Sequence, residues 1–96
     1  TDAASILTFN KDYVNMLPDT AWVFNDKTIK YNVEGWSQGA YKKHGNGRIV
    51  VFGEAAMFSA QLAGPNKIKM GMNNSSAPEN YQLLLNIIHW LDGLFD

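Results

Sequence analysis

The stretch GRIVVFGEAAMFSAQ, residues 47–61, constrains this chain more than any other. Four apolar residues, Ile49 to Phe52, form an unbroken run that stops at Gly53. From Glu54 onward the apolar spacing changes to a helical one. A strand buried on both faces reads as a continuous apolar run, and a glycine at its end permits a sharp turn into a helix. In open α/β sheets, ligands gather at the carboxyl ends of such strands. The Gly53–Glu54 corner is therefore where a site is expected. It holds one carboxylate and no recognisable catalytic set.

The rest of the chain is read around that corner. Residues 6–9 are a short apolar run, and Pro18 biases Leu17 away from helix and opens a turn. Residues 21–24 (AWVF) are a strand candidate ended by the turn-forming Asn25-Asp26-Lys27. Residues 28–33 alternate, with Ile29, Tyr31 and Val33 on one side, which predicts a half-exposed edge strand. Residues 36–44 are expected to be a short helix closed by Gly45 and Gly47, with Gly39 an unfavourable residue inside it. A strand over 48–52 and a helix over 54–62 follow, the latter stopped by Gly64-Pro65-Asn66. Residues 67–76 lack periodicity and read as a loop. The last helix is expected over 79–94, with Pro78 at its first position. Leu84, Ile88, Leu91 and Phe95 make one apolar ridge on it, and Leu83, Ile87, Trp90 and Leu94 a second. A surface helix ordinarily has an apolar face about 100° wide. This one is apolar over more than half its circumference and should contact two neighbours.

Bulk composition narrows the function classes. Ninety-six residues allow one small domain, 1–96, or the closing part of a larger one; the opening Thr1 is compatible with a processed or trimmed piece. A net charge of −1, with no basic cluster beyond Lys42-Lys43, disfavours nucleic acid as a partner. The apolar and charged fractions fit a soluble globular protein, and no stretch approaches the ~20 apolar residues of a membrane helix. The absence of cysteine from these residues removes disulfides, thiolate metal sites and a thiol nucleophile together. No cofactor or metal is expected.

The segment GRIVVFGEAAMFSAQ, followed by GMNN and NYQLLLNIIHWLDGL, resembles the closing part of a group of bacterial domains of unknown function. These are similar to the class I glutamine amidotransferase-like, or flavodoxin-like, fold. The matching positions are Gly45, Gly47, Arg48, Gly53, Glu54, Phe58, Asn80, Asn86, Trp90 and Leu91, spread over the last half of the chain. The resemblance implies an α/β layer: a three- to four-stranded sheet packed with two or three helices, as part of a flavodoxin-like domain. Glutaminase chemistry is not implied, because it needs a cysteine at the strand–helix elbow, where Gly53-Glu54-Ala55 stands instead.

Candidate site residues are Glu54, Gln61, Asn73 and Asn80, which could line a polar small-molecule pocket near the corner or could equally cap backbone groups. Glu54 would occupy the positive end of its helix, so it either stabilises the turn or meets hydroxyls or a cation rather than a phosphate. His44 is expected to end a helix and His89 to lie on the polar stripe of another; they have no metal spacing. Ser59 lacks a Gly-x-Ser-x-Gly frame. Trp22, Trp36 and Trp90 read as core or interface anchors, and Met57, Met70 and Met72 as gap fillers. No catalytic residue is assigned. The function expected is a non-catalytic binding or assembly module, a homo-oligomer joined through the C-terminal helix or an edge strand. The alternative is a small hydrolase-type enzyme with its polar site around Glu54.

Overall fold

The computed structural model describes residues 2–96. Its strands are β1 (Ala4–Thr8), β2 (Val14–Leu17), β3 (Ile29–Asn32), β4 (Ser37–His44), β5 (Gly47–Phe52), β6 (Ala60–Ala63) and β7 (Ile68–Gly71). A 3₁₀ turn, Ala56–Phe58, precedes β6, and one helix, α1 (Asn80–Leu91), closes the chain. The strands form a three-stranded sheet in the order β1-β4-β5 and two separate ribbons, β2-β3 and β6-β7. Every pairing among the described residues is antiparallel. The fold is thus β-rich with a single helix. This overturns the α/β expectation and the likeness to the flavodoxin-like and amidotransferase-like fold, which requires parallel strands bridged by helices.

The corrections have local causes. Residues 36–44 are not a helix; Gly45-Asn46 makes a two-residue hairpin loop, with Gly45 at φ +57, that folds β4 back along β5 from His44↔Gly47 to Gly39↔Phe52. Glycine at the first central position of such a loop matches the twist of the strands it joins. Gly39, unfavourable in a helix, is useful here, because the Phe52 ring lies where a side chain on it would sit. The strand expected at 48–52 is present as β5, but it is an edge strand with alternating exposure rather than a strand buried on both faces.

Residues 54–62 do not form a helix either. Nine residues make few backbone bonds for the cost of nucleation, so such a helix depends on packing. Gly64-Pro65-Asn66-Lys67 instead forms a tight turn (Lys67 N–H to Gly64 O, 3.1 Å) that pairs β6 with β7. That pairing also turns the expected loop over 67–76 into a strand for its first part. Residues 21–24 are not a strand but lie in the connection between β2 and β3, with Trp22 at φ +67. The last helix is shorter than 79–94. Gly93, at φ +84, lets its own N–H reach Trp90 O (3.1 Å) and the Leu94 N–H reach His89 O (3.0 Å), the two bonds of a Schellman stop. Pro78 lies outside the helix, ahead of the N-cap Glu79.

Packing is concentrated at two points. Trp90, 8% exposed, is held between α1 and the sheet, with the Tyr41 ring edge-on at 5.2 Å. Val33, 5% exposed, sits where the turn to Trp36 (Trp36 N–H to Val33 O, 2.9 Å) meets the end of β1 through Phe9 N–H to Trp36 O, 2.9 Å. Phe52 and Phe58 stack edge-on at 5.1 Å and join the sheet to the 3₁₀ turn. The whole is extended, 47 × 33 × 22 Å, with a radius of gyration of 16.2 Å. A compact chain of this length would have a radius of about 12.5 Å.

Gly71 offers the sharpest test of this packing. It holds φ +90, and a Cβ there would run into the carbonyl oxygens of Ser59 and Ala56. Gly71→Ala is expected to destabilise by about 2–3 kcal/mol and to lower Tm by roughly 10–20 °C. Thermal unfolding followed by circular dichroism measures it; an unchanged Tm contradicts the close approach of β7 to the 3₁₀ turn.

Candidate functional site

Glu54, Gln61, Asn73 and Asn80 come from four parts of the last half of the chain, and they gather around one segment, residues 56–61. The Glu54 carboxylate accepts the Ala56 N–H, as Asx- and Glx-type side chains do at tight turns. Gln61 Nε2 donates to Ser59 Oγ (2.8 Å), whose hydroxyl donates to Ala56 O (2.7 Å). Asn73 Nδ2 donates to Gln61 O (3.1 Å), and Asn80 Nδ2 donates to Met57 O (2.9 Å). Backbone closes the same region, with Met72 N–H on Ser59 O at 2.7 Å. The segment runs from the 3₁₀ turn directly into β6, and at this junction the carbonyls of Met57 and Gln61 accept from amide side chains.

A hollow of about 420 Å³ lies beside this segment, and of the four residues only Asn80 lines it, together with Met57, Met70, Gly71 and Asn74. Asn73 Oδ1 is buried and has no hydrogen-bond partner among the described residues. Of the other residues singled out, His44 ends β4 rather than a helix, and His89 packs edge-on to Phe95 at 6.3 Å. Ser59 is engaged by Ala56 O and Gln61 as above. No group of three or more His, Asp or Glu side chains is placed to hold a metal among the described residues.

A second constellation joins α1 to β5, and the sequence reading passed over its centre. Arg48, the sole arginine of the chain, donates through Nη1 to Trp90 O (2.7 Å) and Phe95 O (2.7 Å). Its Nη2 lies 3.3 Å from Asp96 Oδ1, and its guanidinium carbon stands 5.0 Å from the centre of the Trp90 ring. The side chain is 18% exposed. A cation is favourable at a helix C-terminus, where the last carbonyls lack partners, and the planar fork satisfies two carbonyls at once. A lone arginine opening an apolar strand was the available signal, but only the tertiary fold brings the helix end to it. Lys43 Nζ also meets Asp96 Oδ1 at 3.0 Å. The Asp96 carboxyl is held below its ordinary value of 3.8, chiefly by the Lys43 hydrogen bond and charge and then by the Arg48 charge. Beside this clamp, a groove of about 250 Å³ runs between helix and sheet, lined mainly by Ile6, Tyr41, Val50, Ile87 and Trp90. It is an apolar seam, suited to packing rather than to proton transfer.

Two outcomes follow from the clamp. Arg48→Ala leaves the Trp90 and Phe95 carbonyls without their charged donor and should lower stability by about 1.5–3 kcal/mol, read from the denaturant midpoint; Arg48→Lys should rescue little, since one ammonium cannot reproduce the fork. Because the Asp96 carboxyl titrates lower when folded than when unfolded, its contribution is present above pH ~4 and is lost as pH falls through the lowered value. The Trp90 indole resonance should therefore shift in acid in the wild type and stay constant in Asp96→Asn; an acid shift that persists in that variant removes Asp96 as the cause.

The chain matches no family model, no curated protein and no solved structure.

Proposed function

We propose that this chain is a non-catalytic assembly module that works by associating with copies of itself. The observation that carries the reading is its surface. The chain exposes 7595 Å², whereas a folded monomer of 10.7 kDa exposes about 5,500 Å². The difference, about 2,000 Å² per copy, is the area a partner would need to cover. Covered by a second copy, it corresponds to about 4,000 Å² in total, within the range of obligate homodimers.

The character of that surface supports the same reading. On α1, Leu83, Leu84, Ile87 and Trp90 turn inward, while Tyr81, Leu85, Ile88 and Leu91 form an outer apolar stripe. This is the over-wide apolar helix of the sequence, with one side used by the sheet and the other open. A helix stripe of this composition exposed to water costs free energy in proportion to its area, about 25 cal/mol per Å². The polar residues near Glu54 support an active site less well, because their hydrogen-bonding groups are largely engaged with the backbone of residues 56–61.

Sedimentation equilibrium tests the proposal. The expected mass is at least twice 10.7 kDa across the micromolar range. A strictly monomeric species at the highest attainable concentration, with the helix intact by circular dichroism, overturns it.

A further inference from the structure

The three-stranded sheet has two edges, and they differ. Along β1 the register against β4 shifts between Ser5 and Leu7 and again between Leu7 and Thr8. Such irregularities blunt an edge against further pairing. Along β5 the register is continuous for all six residues, from Gly47 to Phe52. The strand contains no proline, and its one charge, Arg48, is drawn away into the clamp on Trp90, Phe95 and Asp96. β5 therefore carries no bulge, no proline and no charge turned out to solvent to protect its edge.

The direction of its backbone groups follows from the hairpin. The Gly53 N–H bonds to Gln38 O at 2.9 Å, so Gly53 faces β4. Residues alternate along an antiparallel strand, so Gly47, Ile49 and Val51 also face β4, and Arg48, Val50 and Phe52 face outward. The N–H and C=O groups of those three residues have no hydrogen-bond partner among the described residues.

We infer that β5 is the joining strand of the assembly, pairing antiparallel with β5 of a second copy about a two-fold axis at Val50. The inference rests on the self-association proposed above. Only a second copy presents the same three outward residues in reverse order, as a closed two-fold interface requires. Pairing centred on Val50 sets Val50 opposite Val50 and Arg48 opposite Phe52. All three outward residues of each copy are then hydrogen-bonded, and six bonds form. A two-fold centred on Ile49 would form only four, and an axis between adjacent residues would place opposite faces of the strand together. The Val50 register also sets the exposed Ile49 opposite the exposed Val51 twice, a favourable pair of β-branched side chains. The product is a six-stranded antiparallel sheet, β1-β4-β5-β5-β4-β1.

The absence of cysteine makes the test clean. Val50→Cys carries a single thiol that should face its own copy with Cα atoms about 5.5 Å apart, within disulfide reach. Mild oxidation should link it into a covalent dimer, while Val51→Cys, displaced along the strand by roughly two residues, should remain unlinked. Val50→Pro removes one outward N–H from each copy and should weaken the dimer about thirtyfold or more by sedimentation. A wild-type dimer in which Val50→Cys fails to link, or in which folded Val50→Pro associates normally, overturns the β5 interface while self-association stands. A monomeric wild type overturns the underlying reading as well.

Discussion

The contact of Arg48 and Trp90 joins the only helix of the described residues to the three-stranded sheet. The indole supplies the burial, against Tyr41 on one strand and the Arg48 guanidinium on another. The guanidinium adds a charged donor to Trp90 O, which the Gly93 N–H also reaches, and bonds Phe95 O beyond the helix end. Each half depends on the other. Without the indole the arginine has no apolar surface to lie on, and without the arginine the helix terminus meets the sheet with no charged donor. Gly93 completes the arrangement by stopping α1 so that Phe95 and Asp96 turn back towards the same side chain.

Beyond this junction, surface and volume are poorly balanced. Among the described residues, three small antiparallel sheets and one helix bury only two apolar residues thoroughly, and the ribbon β2-β3 makes no extensive contact with another strand or helix. Its connection carries Trp22, 88% exposed and in a left-handed backbone conformation. Two-stranded ribbons are at best marginal alone in water. The chain has enough apolar side chains for a core but not the layers to enclose them, and this is the physical ground for reading it as one part of an assembly. An open β5 edge and an outer apolar stripe on α1 are the surfaces on which such an assembly can be built.

The candidate polar residues illustrate how far side-chain chemistry can be read without a fold. Glu54, Gln61, Asn73 and Asn80 were expected either to line a polar pocket or to cap backbone groups, and the structure sets only Asn80 at the hollow. Which of the two roles they take was set by the fold. Amide side chains serve ligands and irregular backbone equally well, and the choice is set by whether the segment between them has its own hydrogen bonds. In residues 56–61 the 3₁₀ turn and the β6 ladder bond part of the backbone, and the Asn80 and Asn73 amides donate to Met57 O and Gln61 O besides. Arg48 is the converse case: its type and position were visible, yet its role needed a helix end more than forty residues away in sequence.

The sequence by itself determined the elements whose signals are local and self-consistent: an apolar strand following Gly47, and a helix near the end, though not its stop at Gly93. It also determined the excess of apolar surface on that helix. Tertiary structure alone decided the fold class. The segments over 36–44 and 54–62 have apolar spacing compatible with either helix or strand, and each is too short to nucleate a stable helix unaided. Their state was decided by pairing across the tight turns at Gly45-Asn46 and Gly64–Lys67, which drew residues 37–44 and the end of 54–62, from Ala60 on, into neighbouring strands. Backbone hydrogen bonds between residues distant in sequence are invisible to periodicity, and here they outweigh local preference.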